Sequence, residues 1–234
     1  MSDVHQPDDK QPTFREALRD AARNSGLGKV APGEAPSKGA LLSAVGGVRG
    51  IIESVLPVLG FTVVYTITKN VPLAVAIPVG LSVVFVLVRL ITRTPMSSAV
   101  VGLVLVGISA VLALLTGEGR SNFVPGFLIN GALLAVLVVS LIARRPLIGV
   151  IASLITGDED WRRDARKYRT AVIATLLWIA LFGARLAVEV PLYFANLTEA
   201  LGVARLITGV PLYAIVLWVT WLLVRTVYAR PHPE

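Results

Sequence analysis

Apolar residues fill six long stretches of the chain: Ile51 to Thr68, Val71 to Thr92, Ser98 to Thr116, Val124 to Ala143, Thr170 to Val190 and Val210 to Val227. Each approaches the ~20 residues that a helix needs to cross about 30 Å of hydrocarbon. The connections between them are too short to fold alone, so no soluble core is available. The pattern predicts an all-α fold, a polytopic membrane helical bundle with six transmembrane helices. Only Lys69 and Asn70 separate the first two stretches, so these must turn back on each other, and three antiparallel hairpins are expected. Pro146 to Thr156 is apolar but too short to span, which predicts an interfacial or re-entrant helix.

The polar positions divide the chain further. Residues 1–45 form a polar tail, 46–230 the six-span membrane domain, and 231–234 a short C-terminal tail. In the first tail, Thr13-Phe14-Arg15-Glu16 has capping-box spacing, and Phe14, Leu18, Ala21 and Ala22 follow at helical intervals up to Gly26. A short amphipathic surface helix is expected there, followed by a linker over Lys29 to Lys38. The first 40 residues contain no apolar core of a signal peptide, which predicts insertion directed by the first span.

Lysine and arginine set the expected orientation, because positive charge near span ends stays in the cytoplasm. Seven lie before span one (Lys10, Arg15, Arg19, Arg23, Lys29, Lys38, Arg49) and seven between spans four and five (Arg144, Arg145, Arg162, Arg163, Arg166, Lys167, Arg169). Arg89, Arg93, Arg225 and Arg230 join that side, against Lys69, Arg120 and Arg205 on the other. Both termini are predicted to be cytoplasmic. Leu90-Ile91-Thr92-Arg93-Thr94-Pro95-Met96 reads like Leu141-Ile142-Ala143-Arg144-Arg145-Pro146-Leu147, and Val71-Pro72-Leu73 like Val210-Pro211-Leu212. Three related hairpins would explain this; so would the general need for Arg at the headgroups and Pro to stop each helix.

Charges at membrane depth cost a few kcal/mol each and need a reason. Glu53, near the start of span one, follows Arg49 by four residues and lies at a depth similar to Arg89, which predicts an interfacial cluster of the three. Arg185 lies well past the middle of span five, with Glu189 one turn later. Asn130 falls at a similar depth on span four. An intramembrane polar cluster of Arg185, Glu189 and Asn130 is expected, either as an ion pair that snorkels to the interface or as the lining of a cavity for an anionic group. Pro191 is placed to end or kink the span. Gly157 to Lys167 mixes four acids and four bases around Trp161, which reads as a headgroup anchor, with a docking site for a partner or anionic lipid as the sharper alternative. Ser98, Ala99 and Gly102 offer small-residue spacing for close helix packing.

Composition narrows the chemistry. Hydrophobic residues make up 55% and charged residues 16%, and the mean hydropathy is +0.74. The chain contains no cysteine, which excludes disulfides, thiolate metal sites and cysteine nucleophiles, and its two histidines, His5 and His232, lie in the tails. No metal site and no cofactor are expected. GxSxG, HExxH and Walker patterns are absent, and no span contains an aspartate, which argues against an enzyme. Arginine outnumbers lysine, a bias common in GC-rich bacteria, so a bacterial plasma (inner) membrane is the expected location.

Gly46-Gly47-Val48-Arg49-Gly50 with Glu53-Ser54-Val55-Leu56-Pro57, Val88-Arg89-Leu90, Arg144-Arg145-Pro146-Leu147-Ile148-Gly149, Thr156-Gly157-Asp158 with Trp161-Arg162, and Gly202-Val203-Ala204-Arg205 form a recognisable set. Over about Gly46 to Arg230 the chain resembles the actinobacterial integral membrane proteins grouped as domain of unknown function 3159. More remotely it is similar to the intracellular septation protein A family, through the acid before Leu56-Pro57, Tyr65 late in span one and the doubly basic Pro-Leu-Ile step after span four. The charged loop after span four is longer than in the septation family. The resemblance implies a six-helix envelope protein associated with division or cell-wall synthesis, and supplies no active site.

Three roles follow as expectations. The first is a non-enzymatic scaffold of the envelope or septum, working through its tail and loop. The second is a small transporter or lipid-handling protein using Arg185, Glu189 and Asn130; an enzyme on a lipid-linked substrate comes last. Expected partners are the lipid bilayer, anionic lipid headgroups or envelope membrane proteins, with homo-oligomers allowed and no nucleic acid.

Overall fold

The computed structural model describes residues 47–93, 97–158 and 160–228. The expected tail helix and linker, and the C-terminal tail, lie outside these residues. The described chain consists of helices α1 (Gly47–Thr68), α2 (Val71–Ile91), α3 (Ser97–Thr116), a 3-10 turn (Gly119–Phe123), α4 (Val124–Ile142), α5 (Leu147–Thr156), α6 (Ala165–Phe194), α7 (Thr198–Thr208) and α8 (Val210–Tyr228). Six helical stretches are long and apolar enough to cross a membrane, the sixth running from Thr198 to Val227 through both α7 and α8. At about 1.5 Å per residue, the 22 residues of α1 reach about 33 Å, a bilayer core. The protein is a multi-pass membrane protein, and the apolar side chains that stay exposed on its helices face lipid.

Local chemistry sets the boundaries. Lys69 takes a left-handed φ of 51° to close the two-residue turn, and the Asn70 side chain caps α2 by accepting from the Leu73 amide at 3.0 Å. Asp164 caps α6 by accepting from the amides of Arg166 and Lys167. Gly157, at φ 73°, ends α5. Pro191 neither ends nor interrupts α6, which runs on to Phe194. At 30 residues this helix is longer than the predicted span and must tilt or protrude.

Related sequence steps share backbone geometry. Helices α2, α4 and α8 open on Val71-Pro72, Val124-Pro125 and Val210-Pro211. Where α2 and α4 end, the amides of Thr92 and Ala143 both return to a carbonyl four residues back at 2.9 Å. Arg93 and Arg144 follow with left-handed φ of 49° and 53°.

Packing divides the bundle into two cores. Phe61, Val71, Ala74, Val75, Ala110, Ala113, Phe123 and Leu201 gather α1, α2, α3, the 3-10 turn and α7. Leu137, Leu181, Phe182 and Val216 gather α4, α6 and α8. Consecutive spans α3 and α4 touch sparingly, since α3 packs on α2 and α4 on α6; the expected middle hairpin is therefore not a packing unit. Helix α7, which sequence patterning treated as loop, joins the halves by packing on both α1 and α6. Its approach to α1 needs Gly202, where a Cβ would overlap the Thr62 side chain. Gly102 has nothing within 4 Å of the position its Cβ would take, so the small-residue face expected to pack α3 closely finds no neighbour there.

Candidate functional site

Two ends of the bundle differ in how they use charge. At the end carrying the α1–α2 turn, all three cations bind across elements. Lys69 pairs with Glu199 of α7. Arg120 grips Glu118 through Nε and Nη2 at 2.8 and 3.1 Å and donates through Nη1 to the Tyr193 carbonyl at 3.0 Å. Hydrogen-bonded in this way, the Glu118 carboxyl is held below the usual carboxylate range. Arg205 donates to the Phe123 carbonyl at 3.1 Å and lies over the Phe123 ring. Gly126 makes room for it, since a Cβ there would overlap the guanidinium.

Deeper in the bundle, α6 presents Arg185 and Glu189 one turn apart. Arg185 Nε donates to Glu189 Oε1 at 2.8 Å, with Arg185 7% exposed and Glu189 fully buried. Thr208, the last residue of α7, holds its hydroxyl 3.1 Å from the same oxygen and 2.8 Å from the Ala204 carbonyl, one proton shared between two acceptors. The helix breaks there, at Gly209, before Pro211. Arg185 also stacks over the Tyr213 ring of α8. Glu189 Oε2 is buried with no hydrogen-bond partner among the described residues. Arg205 lies near enough to feel the charges of Arg185 and Glu189, but among the described residues only Arg185 pairs with the carboxylate, while Arg205 bonds the Phe123 carbonyl. Asn130 is buried on α4, which packs on α6, but no hydrogen bond ties it to the pair. Sequence reasoning missed Thr208 and Tyr213 here, and used Arg205 only for orientation and as part of Gly202-Val203-Ala204-Arg205; the Gly126 slot that holds it is visible only in the structure.

At the opposite end the interfacial cluster forms. Glu53 Oε1 accepts from Arg49 Nε at 2.8 Å and Oε2 from Arg89 Nη2 at 2.6 Å. In the α5–α6 loop, Lys167 pairs with Asp158 at 2.5 Å and Arg163 with Asp160 at 3.1 Å. These carboxylates are thus neutralised by neighbouring bases, and no group of three or more acids or histidines able to hold a metal ion occurs among the described residues. Trp161 corrects an expectation. It is 4% exposed, stacked on Tyr168 at 6.3 Å between centroids and seated on Gly149, so its ring packs between α5 and α6 and does not lie open at the surface.

Residues 45–231 match the family described as Protein of unknown function (DUF3159). The chain belongs to that family. The match covers both cores, both charge clusters and the α5–α6 loop of this DUF3159 protein. No curated protein and no solved structure matches the chain.

Proposed function

We propose that the protein is a non-enzymatic scaffold of the bacterial envelope or septum, lying in the plasma membrane with both termini in the cytoplasm. One observation carries this reading: at the turn end Lys69, Arg120 and Arg205 each bond across elements, Lys69 while exposed, whereas six arginines of the loop end stay exposed. Arg144, Arg145, Arg162, Arg163, Arg166 and Arg169 are all exposed. The positive-inside rule supports a cytoplasmic position for that end, the side on which soluble division or wall-synthesis proteins work.

A second reading is favoured by the broken α7–α8 helix beside Glu189, whose second oxygen is buried with no hydrogen-bond partner among the described residues. Helices interrupted at membrane depth line the substrate sites of many transporters, so a small transporter or lipid-handling protein is the alternative. Complementation of a deletion strain separates the two. With a scaffold, the paired substitution Arg185→Met with Glu189→Leu restores the phenotype, whereas removal of residues 1–40 does not. The reverse result would replace the scaffold with the transport reading.

A further inference from the structure

Where α4 ends and α6 begins, Arg144, Asp160, Arg162, Arg163 and Tyr168 line an open groove of about 650 Å³. Among the described residues, three guanidiniums and one carboxylate supply its charge. The carboxylate, Asp160, is engaged by Arg163. No carboxylate pairs with Arg144 or Arg162 among the described residues, so two guanidiniums are left for a ligand. The groove is also shaped by structure around it. Arg144 is held in a left-handed turn with its amide bonded to the Leu141 carbonyl at 2.9 Å. Tyr168 is held by its stack on buried Trp161.

The surroundings identify the kind of anion. Ile142, two residues before Arg144, is 76% exposed and Val139 is 61% exposed. The exposed apolar face of α4 therefore ends two residues short of Arg144, which lines the groove. A free phosphate would use only the arginines; an amphiphile would use both. We propose that this groove binds the phosphodiester headgroup of an anionic phospholipid, with Arg144 and Arg162 as its ligands and the acyl chains lying along Val139 and Ile142. Guanidinium forks match phosphate oxygens in pairs, and attraction of this kind at a membrane surface changes affinity about fivefold per arginine. Such a site would serve either reading of the bundle's role.

The test is a native mass spectrometry titration of the full-length protein in neutral detergent. Phosphatidylglycerol is added against phosphatidylcholine, with glycerol phosphate as a headgroup-only competitor. The native chain is expected to retain phosphatidylglycerol over phosphatidylcholine, and glycerol phosphate to displace it poorly. The pair Arg144→Gln with Arg162→Gln is expected to weaken phosphatidylglycerol by about twenty-five-fold, the two single effects multiplied. Arg145→Gln with Arg166→Gln removes the same charge outside the groove and should change little. Equal weakening by the two pairs would reduce the effect to diffuse attraction and overturn the site. Equal retention of the two lipids would do the same, and ready displacement by glycerol phosphate would make this a soluble-phosphate site instead. If the glutamine pair fails to fold, Arg144→Lys with Arg162→Lys takes its place. It should bind more weakly than the native chain because an ammonium cannot form the paired contact; undiminished binding would overturn the proposal.

Discussion

Replacing Glu189 by Leu is expected to destabilise the bundle by about 3–5 kcal/mol, because it leaves a buried arginine without its counter-charge. The effect should exceed that of Arg185→Met. Loss of Arg185 leaves Glu189 in the field of Arg205 and hydrogen-bonded to Thr208, whereas loss of Glu189 leaves two cations in one another's field. The double variant, Arg185→Met with Glu189→Leu, should recover most of the loss, since apolar residues of similar size often replace a buried pair at little cost. Denaturant unfolding in lipid nanodiscs reads all three. If Glu189→Leu unfolds with the native midpoint, the pair is not part of what holds α6 against α7 and α8.

The second large effect is expected at Trp161. Truncation to Ala should cost about 3–5 kcal/mol, the usual range for a buried tryptophan, and should free α5 from α6, seen as faster amide exchange over Leu147–Thr156. Gly149 faces the same ring: a Cβ there would lie 2.5 Å from the Trp161 ring and 2.6 Å from the Ala171 Cβ. Gly149→Val should therefore cost about 1–3 kcal/mol by overpacking. Combined, the two substitutions should cost less than their sum, because the truncated tryptophan yields part of the space the valine needs. Additive losses would mean that Trp161 does not rest on Gly149.

These residues also show what the chain reveals by pattern and what it hides. The spans were legible because apolar runs of bilayer length have few other uses in a folded chain. The Arg185–Glu189 and Arg49–Glu53 pairs were legible because residues four apart share a helix face. Helix α7 was not: within Thr198–Thr208 the buried set is only Thr198, Leu201 and Gly202, too narrow a stripe to distinguish an 11-residue helix from a loop. The three-hairpin expectation followed chain order, but α3 and α4 find better partners in α2 and α6, and hydropathy carries no information on which spans touch. Trp161 was misplaced because a tryptophan among arginines looks the same in sequence at the headgroups or packed on a glycine. Asn130 was placed at depth by counting residues, yet its side chain does not join the hydrogen bonds of the pair, a matter of rotation about the helix axis that counting leaves open.

The scaffold reading is tested most directly by where the protein sits in living cells. A functional fluorescent fusion at Glu234, expressed at its native level in its own host, is predicted to concentrate at septa or growing poles. Removal of residues 1–40 is predicted to disperse it around the membrane. An even distribution of the full-length fusion along the whole envelope would contradict the account.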